Sequence, residues 1–251
     1  FGGCLADDMG LGKTIQVLAL LQEHANNRPP GESRRASLVV APRSLIFNWK
    51  RETERFAPSL KVMDHTGIQR GYRPDTWNDQ DLVVTTYGTL KRDIEKLKDY
   101  EFEYVILDEA QAIKNSNTQT AKAVRLVRGR QRLALSGTPV ENHLGELWSL
   151  FEFLNPGMLG RAAGFIGAGA SLRNPDPETR DLLAKALRPF ILRRTKRQVA
   201  PELPDKTEKT IMCELDGDQK KLYEELRDYY RRKLLAKVDE AGLAKTKIMV
   251  L

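Results

Sequence analysis

Along the first part of the chain, short apolar runs ending in small or polar residues alternate with stretches of helical period. The runs are Gly3-Cys4-Leu5-Ala6, Leu38-Val39-Val40-Ala41, Leu82-Val83-Val84-Thr85, Tyr104-Val105-Ile106-Leu107 and Leu133-Ala134-Leu135, with a weaker one at Leu60-Lys61-Val62-Met63. Their unbroken apolarity marks strands buried on both faces, as in a parallel sheet covered by helices. That cover is predicted from Ser44 to Phe56, where Leu45, Trp49 and Phe56 share a face. A second covering helix runs from Leu144 to Leu154, with Leu147, Leu150, Phe151 and Leu154 on one face. After Asn155-Pro156-Gly157 the pattern changes. Glycine and alanine run through Gly169, then comes Asn174-Pro175-Asp176-Pro177, then a basic helix to about Val199. A short strand candidate, Thr210 to Leu215, precedes a charged helix to Glu240 that opens with Asp216 and Gln219 at capping-box spacing. An α/β lobe is therefore expected over residues 1–155, with a helical protrusion and linker over 156–251.

Composition narrows the partners. The 251 residues suffice for one large domain and an appendage. With 41 Lys and Arg against 34 Asp and Glu, the net charge of +7 leans mildly toward polyanions. Cys4 and Cys213 lie far apart with no His or Cys at ligand spacing, so neither a zinc site nor a disulfide framework is expected, which fits a reduced compartment. No apolar run reaches the ~18 residues of a membrane span, and the first residues lack the features of a signal peptide. Both ends read as cut from a longer protein: no Met opens the chain, and it stops inside Lys247-Ile248-Met249-Val250-Leu251.

Ligands of a parallel α/β sheet bind outside the carboxyl ends of its strands. The first apolar run leads into Asp7-Asp8-Met9-Gly10-Leu11-Gly12-Lys13-Thr14 and then into a helix. Glycines let backbone N–H groups curl around phosphate oxygens, and the helix N-terminus adds positive potential. Lys13 would reach the β- and γ-phosphates and Thr14 would ligate magnesium, although Asp7 stands where the strict phosphate-loop pattern has glycine. A second run delivers Asp108 as a magnesium carboxylate, with Glu109 placed to orient or deprotonate an attacking water. A third ends in Ser136-Gly137-Thr138-Pro139, a tight turn able to sense both the nucleotide and a neighbouring site. Each string alone is compatible with an ordinary turn. Their occurrence together, in this order and each at a strand end, points to nucleoside triphosphate chemistry.

In these motifs the chain resembles helicase superfamily two, and within it the Swi/Snf ATPases. The nucleotide motifs of that family are similar to Asp7 to Thr14, Asp108 to Gln111 and Ser136 to Pro139. The resemblance implies a RecA-like three-layer α/β/α lobe with a mostly parallel central sheet, ATP with magnesium as its cofactors, and Gln111, Ser136, Gly137 and Thr138 as coupling residues. It places Pro42, Arg43 and Ser44, then Thr85, Thr86 and Tyr87, along a DNA backbone, where Lys50, Lys91 and Arg92 add charge. Arg193 and Arg194 fall in a basic segment similar to the one that follows the family's first lobe. The stretch from Arg188 to Arg197 is accordingly expected to hold a polyanion or dock the second lobe, outside the core of the first. Implied partners are double-stranded DNA, a second RecA-like lobe of the same chain that brings arginines, and a DNA-bound protein substrate, with no membrane. The expected location is the bacterial cytoplasm, with the nucleoid, because the Asp-Glu-Ala-Gln box and short motif spacing look bacterial; a eukaryotic member would be nuclear. The rival readings are an RNA helicase of the D-E-A-D type, disfavoured by Gln111 and Gly137, and a non-hydrolysing nucleotide-binding scaffold, disfavoured by Lys13, Thr14, Asp108 and Glu109. Two departures stand out: the glutamine motif that reads adenine would precede Phe1, and Ala162 to Ala170 replaces an aromatic and basic stretch.

Overall fold

The computed structural model describes residues 1–29, 31, 34–67, 74–137, 144–160, 183–204 and 207–241. Six strands come from the apolar runs: β1 Gly3–Leu5, β2 Ser37–Ala41, β3 Val62–Asp64, β4 Leu82–Thr86, β5 Glu101–Leu107 and β6 Arg128–Leu135. A further strand, β7, spans Ile191–Leu192. Together they form one seven-stranded sheet in the order β3-β4-β2-β5-β6-β1-β7. Every pairing is parallel, with Val39 opposite Val84 and Ile106, and Leu5 opposite Leu135 and Leu192.

Alternate residues of each strand feed opposite cores, as a pleat requires. Leu38, Val40, Val83, Val105, Leu107 and Ala134 pack on one face. That face is covered by α4 Tyr87–Leu97, α5 Gln119–Leu126 and α6 Leu144–Leu154. Val39, Ala41, Val84, Ile106 and Leu135 pack on the other, against Val17, Leu18 and Leu21 of α1 Lys13–Asn26 and Ile46 and Trp49 of α2 Ile46–Phe56. The short α3 covers Pro74–Trp77. This is the expected three-layer α/β/α arrangement. Asn155, at the end of α6, is tied to Gly2 beside β1 by two hydrogen bonds of 2.8 and 3.0 Å. A side chain on Gly2 would collide with the carbonyl oxygens of Leu154 and Arg132, at 2.6 and 2.8 Å from a Cβ. Glycine is therefore what allows this close approach.

The compact unit runs from Phe1 to Leu203, beyond the expected limit at residue 155. The reason lies in the basic segment, which is not a helix up to Val199. A 3-10 turn at Arg188–Phe190 leads into β7, which adds to the free edge of β1, and α7 Lys196–Val199 follows. Such a short strand has no periodicity of its own and is created by the edge it joins. In the second unit, Pro204–Leu251, the described helix α8 is Gly217–Ala241, with the Asp216 carboxylate accepting from the Gln219 N–H at 2.9 Å. The expected strand from Thr210 to Leu215 does not form, and among the described residues no strand pairs with it; Ile211 and Met212 are 81 and 89% exposed. Among the described residues no helix is long and apolar enough to cross a membrane.

Candidate active site

β1, β5 and β6 are adjacent in the sheet, so the segments leaving their carboxyl ends converge. After β1 the chain turns through Gly10 and Gly12, with φ of 90° and 73°, and enters α1 at Lys13. Left-handed φ is cheap for glycine, so the chain can turn here directly into α1, whose first N–H groups receive no side-chain cap. The Lys13 Nζ donates to the Asp7 carbonyl oxygen at 2.7 Å and, more weakly, to that of Asp8 at 3.4 Å. Gln16 holds the loop from behind through a 3.1 Å bond to the Leu11 carbonyl oxygen.

Asp7, the departure from the phosphate-loop pattern, is fully buried. Its carboxylate accepts from the Arg194 backbone N–H at 2.9 Å and from both Nε and Nη2 of the Arg194 guanidinium, and Nη2 also donates to the Gln16 Oε1 at 2.8 Å. Desolvation alone would raise the Asp7 pKa, but the hydrogen bonds and charge of Arg194 outweigh it and hold the group below its ordinary range. Asp8 accepts from the Lys196 backbone N–H at 3.0 Å. The Arg194 guanidinium expected on DNA is thus committed to the phosphate loop, while Arg193 is exposed.

At the end of β5 the two carboxylate oxygens of Asp108 accept separately, one from the Trp49 indole N–H at 2.8 Å and one from the Glu109 backbone N–H at 2.9 Å. Burial pushes the Asp108 carboxyl up, with the Glu109 charge adding and the Trp49 bond and Lys13 charge opposing. Lys13 and Asp108 follow the ends of β1 and β5, which flank β6 in the sheet. Glu109 has φ 49°, the one positive φ outside glycine among the described residues. Backbone strain of this kind persists where surrounding contacts hold it, here at the start of a 3-10 turn, Ala110–Ile113. The Gln111 Nε2 donates to the Glu109 Oε2 at 2.7 Å, and its Oε1 receives the Ser136 hydroxyl at 3.4 Å. Ser136 itself continues the β6–β1 pairing through a 3.1 Å bond to Leu5. Gly137 follows it; Thr138 lies outside the described residues, as does Ala162 to Ala170.

The expected DNA contacts divide. Pro42 begins a 3-10 turn at Arg43–Leu45, with Arg43 and Ser44 exposed. Arg43, Phe47 and Lys50 form one wall of a cleft of about 560 Å³ whose other wall includes Thr86, Thr89 and Arg92; Asp64 also lines it and pairs with the Lys50 ammonium at 3.2 Å. Thr85, by contrast, is fully buried and donates to the His65 carbonyl oxygen at 2.8 Å, and Thr86 caps α4 by accepting from the Thr89 N–H at 3.1 Å. The Tyr87 hydroxyl turns inward to the Asp108 carbonyl oxygen at 2.8 Å; burial, with the nearby Asp108 and Glu109 charges, pushes its pKa well up. Thr85 and Tyr87 therefore do not face a ligand in the cleft, because strand pleat and helix start direct both side chains into the lobe.

Sequence reasoning did not connect Trp49 or Tyr87 with Asp108, or Arg194 with Asp7. Trp49 carried one signal, a large ring with a polar N–H on the buried face of a predicted helix, which requires some acceptor. The other links depend on strand order.

Comparison with known proteins gives a match to the SNF2-related domain over residues 1–250. The chain is similar to the putative ATP-dependent helicase/translocase YwqA of Bacillus subtilis, 42% identical over 233 residues, covering 90% of this chain and 25% of that protein. It is also similar to the TATA-binding protein-associated factor MOT1 of Saccharomyces cerevisiae, 37% identical over 245 residues, covering 88% of this chain and 13% of that protein. Among solved structures, the Sulfolobus solfataricus SWI2/SNF2 ATPase core in complex with dsDNA matches with a TM-score of 0.72 at 38% identity, covering all of this chain and 52% of that one. The chain thus spans about a quarter or less of the length of these curated relatives.

Proposed function

The chain belongs to the SNF2-related domain family, and from that premise we propose that it is the ATP-binding lobe of a DNA-dependent ATPase. In this reading the whole protein translocates along double-stranded DNA and remodels protein–DNA complexes. One observation carries the proposal: at the carboxyl ends of the neighbouring strands β5 and β6, Asp108, Glu109, Gln111 and Ser136 are joined by hydrogen bonds, and Lys13 follows the adjacent β1 at a helix N-terminus without a side-chain cap.

The residues present fit magnesium, since among the described residues each Asp108 oxygen accepts one hydrogen bond and retains acceptor capacity, while Thr14 lies in the first turn of α1. Thr14 and Asp108 would hold the ion. When bound, it neutralises charge on the β- and γ-phosphates. Lys13 exchanges the Asp7 and Asp8 carbonyl oxygens for phosphate oxygens, and the N–H groups of α1 cradle the rest. Glu109 orients a water and takes its proton. Gln111 and Ser136 connect that glutamate to the β6 end. Phosphoryl transfer is mostly positioning and charge neutralisation, so a second RecA-like lobe of the same protein would complete the site with arginines. Duplex backbone would lie in the cleft of Arg43, Lys50 and Arg92, and the substrate would be a DNA-bound protein. A bacterial member would work on the nucleoid, a eukaryotic one in the nucleus.

The test is ATP hydrolysis by the full-length protein in the presence of duplex DNA, single-stranded DNA or RNA. Stimulation by duplex is expected. Stimulation by RNA alone would favour an RNA helicase, and nucleotide binding without turnover would favour a scaffold.

A further inference from the structure

The two helices that wall the basic cleft each send one aromatic side chain inward, and both end on the same residue. α2, which carries Phe47 and Lys50 on the cleft, gives the Trp49 indole N–H to the Asp108 side chain at 2.8 Å. α4, which carries Thr89 and Arg92 on the cleft, gives the Tyr87 hydroxyl to the Asp108 carbonyl oxygen at 2.8 Å. We propose that Trp49 and Tyr87 are positioning residues that link occupancy of the cleft to the acidic box of the ATP site. The inference rests on reading the cleft as the seat of duplex backbone.

The physical case is one of limited alternatives. Trp49 has zero exposure, so its N–H has no water to turn to and is held by Asp108. Asp108 in turn is buried, and among the described residues Trp49 is the side-chain donor on that oxygen, so its orientation depends on where α2 stands. Tyr87 fixes the backbone of Asp108 immediately before the strained φ of Glu109, the water-orienting residue. Helix shifts of about 1 Å are typical of ligand-driven change. A shift of that size carries a 2.8 Å hydrogen bond past the ~3.5 Å at which it ceases to count as one. Phosphates gripping Arg43 and Arg92, and drawing Lys50 away from its 3.2 Å pairing with Asp64, would therefore set α2 and α4, and through two bonds set the carboxylate and the backbone of the box. A coupling of this kind between two sites is ordinarily worth about 5- to 150-fold.

The experiment uses the full-length protein with Trp49→Phe, Tyr87→Phe and the double variant. Duplex affinity, KM for ATP, kcat with and without saturating duplex, and melting temperature are measured for each. The expected result is a fall of about fivefold or more in the ratio of duplex-stimulated to basal kcat in the double variant. Duplex affinity should stay within about twofold, since neither ring lines the cleft. A double variant that binds duplex and keeps the wild-type ratio overturns the proposal. If Trp49→Phe lowers the melting temperature so far that it cannot be assayed, Tyr87→Phe decides, because it deletes a single oxygen: a lowered ratio supports the link and an unchanged one refutes it. Wild-type protein that binds no duplex, or is not stimulated by it, would instead overturn the reading of the cleft itself.

Discussion

The Asp7 carboxylate is fully buried and closed upon by Arg194, 187 residues later in the chain, with guanidinium Nε contacts of 3.1 and 3.2 Å to its two oxygens. Asp7 opens the phosphate loop and Arg194 follows the strand that extends the sheet past β1, so one ion pair fixes the loop to the end of the lobe. Asp7→Asn is expected to lower turnover by misplacing the loop, an effect that can reach about 100-fold in rate for a shift near 1 Å. Because the folded-state pKa of Asp7 is depressed, the pair's stabilisation is complete above the ordinary carboxylate value and is lost as pH falls through the lower folded value. Melting temperatures of wild type and Asp7→Asn should therefore differ steadily near neutral pH and converge only below about pH 4.

Lys13→Ala removes the charge now resting on the Asp7 and Asp8 carbonyls. Turnover in the full-length protein should be abolished. Nucleotide Kd should rise about 10- to 100-fold, as expected for losing a charged hydrogen bond worth ~1.5–3 kcal/mol. Near-normal hydrolysis would remove the phosphate-loop assignment.

Glu109→Gln keeps the size of the side chain and loses the base. ATP and duplex binding should persist while kcat falls about 100- to 10,000-fold, the usual contribution of a general base. Parallel loss of binding and turnover would instead assign Glu109 to holding the strained turn.

Arg43→Ala and Arg92→Ala stand on opposite walls of the cleft. Each should weaken duplex binding for all sequences alike and flatten the slope of log K against log salt by about 0.9 per lost phosphate contact. Arg194→Ala should leave that slope unchanged while weakening ATP binding, since its guanidinium is held by Asp7. An altered slope for Arg194→Ala would return this residue to the DNA surface.

What the sequence determined by itself was local. Continuous apolar runs specified six parallel strands, because burial on both faces leaves a signature readable within a few residues. The glycines before Lys13 specified a tight turn into a helix, because left-handed backbone needs them at those positions. Asp108, Glu109 and Ser136 could be placed at strand ends because each follows one of these apolar runs. Only the tertiary structure decided which of these ends are neighbours, since the order β3-β4-β2-β5-β6-β1-β7 arises from pairings between distant segments. It turned Thr85 and Tyr87 inward, made a strand of Ile191–Leu192, gave Arg194 to Asp7 and brought Trp49 to Asp108. Side-chain direction follows from pleat and register, and long-range partners follow from packing; neither is written in the spacing of residues along the chain.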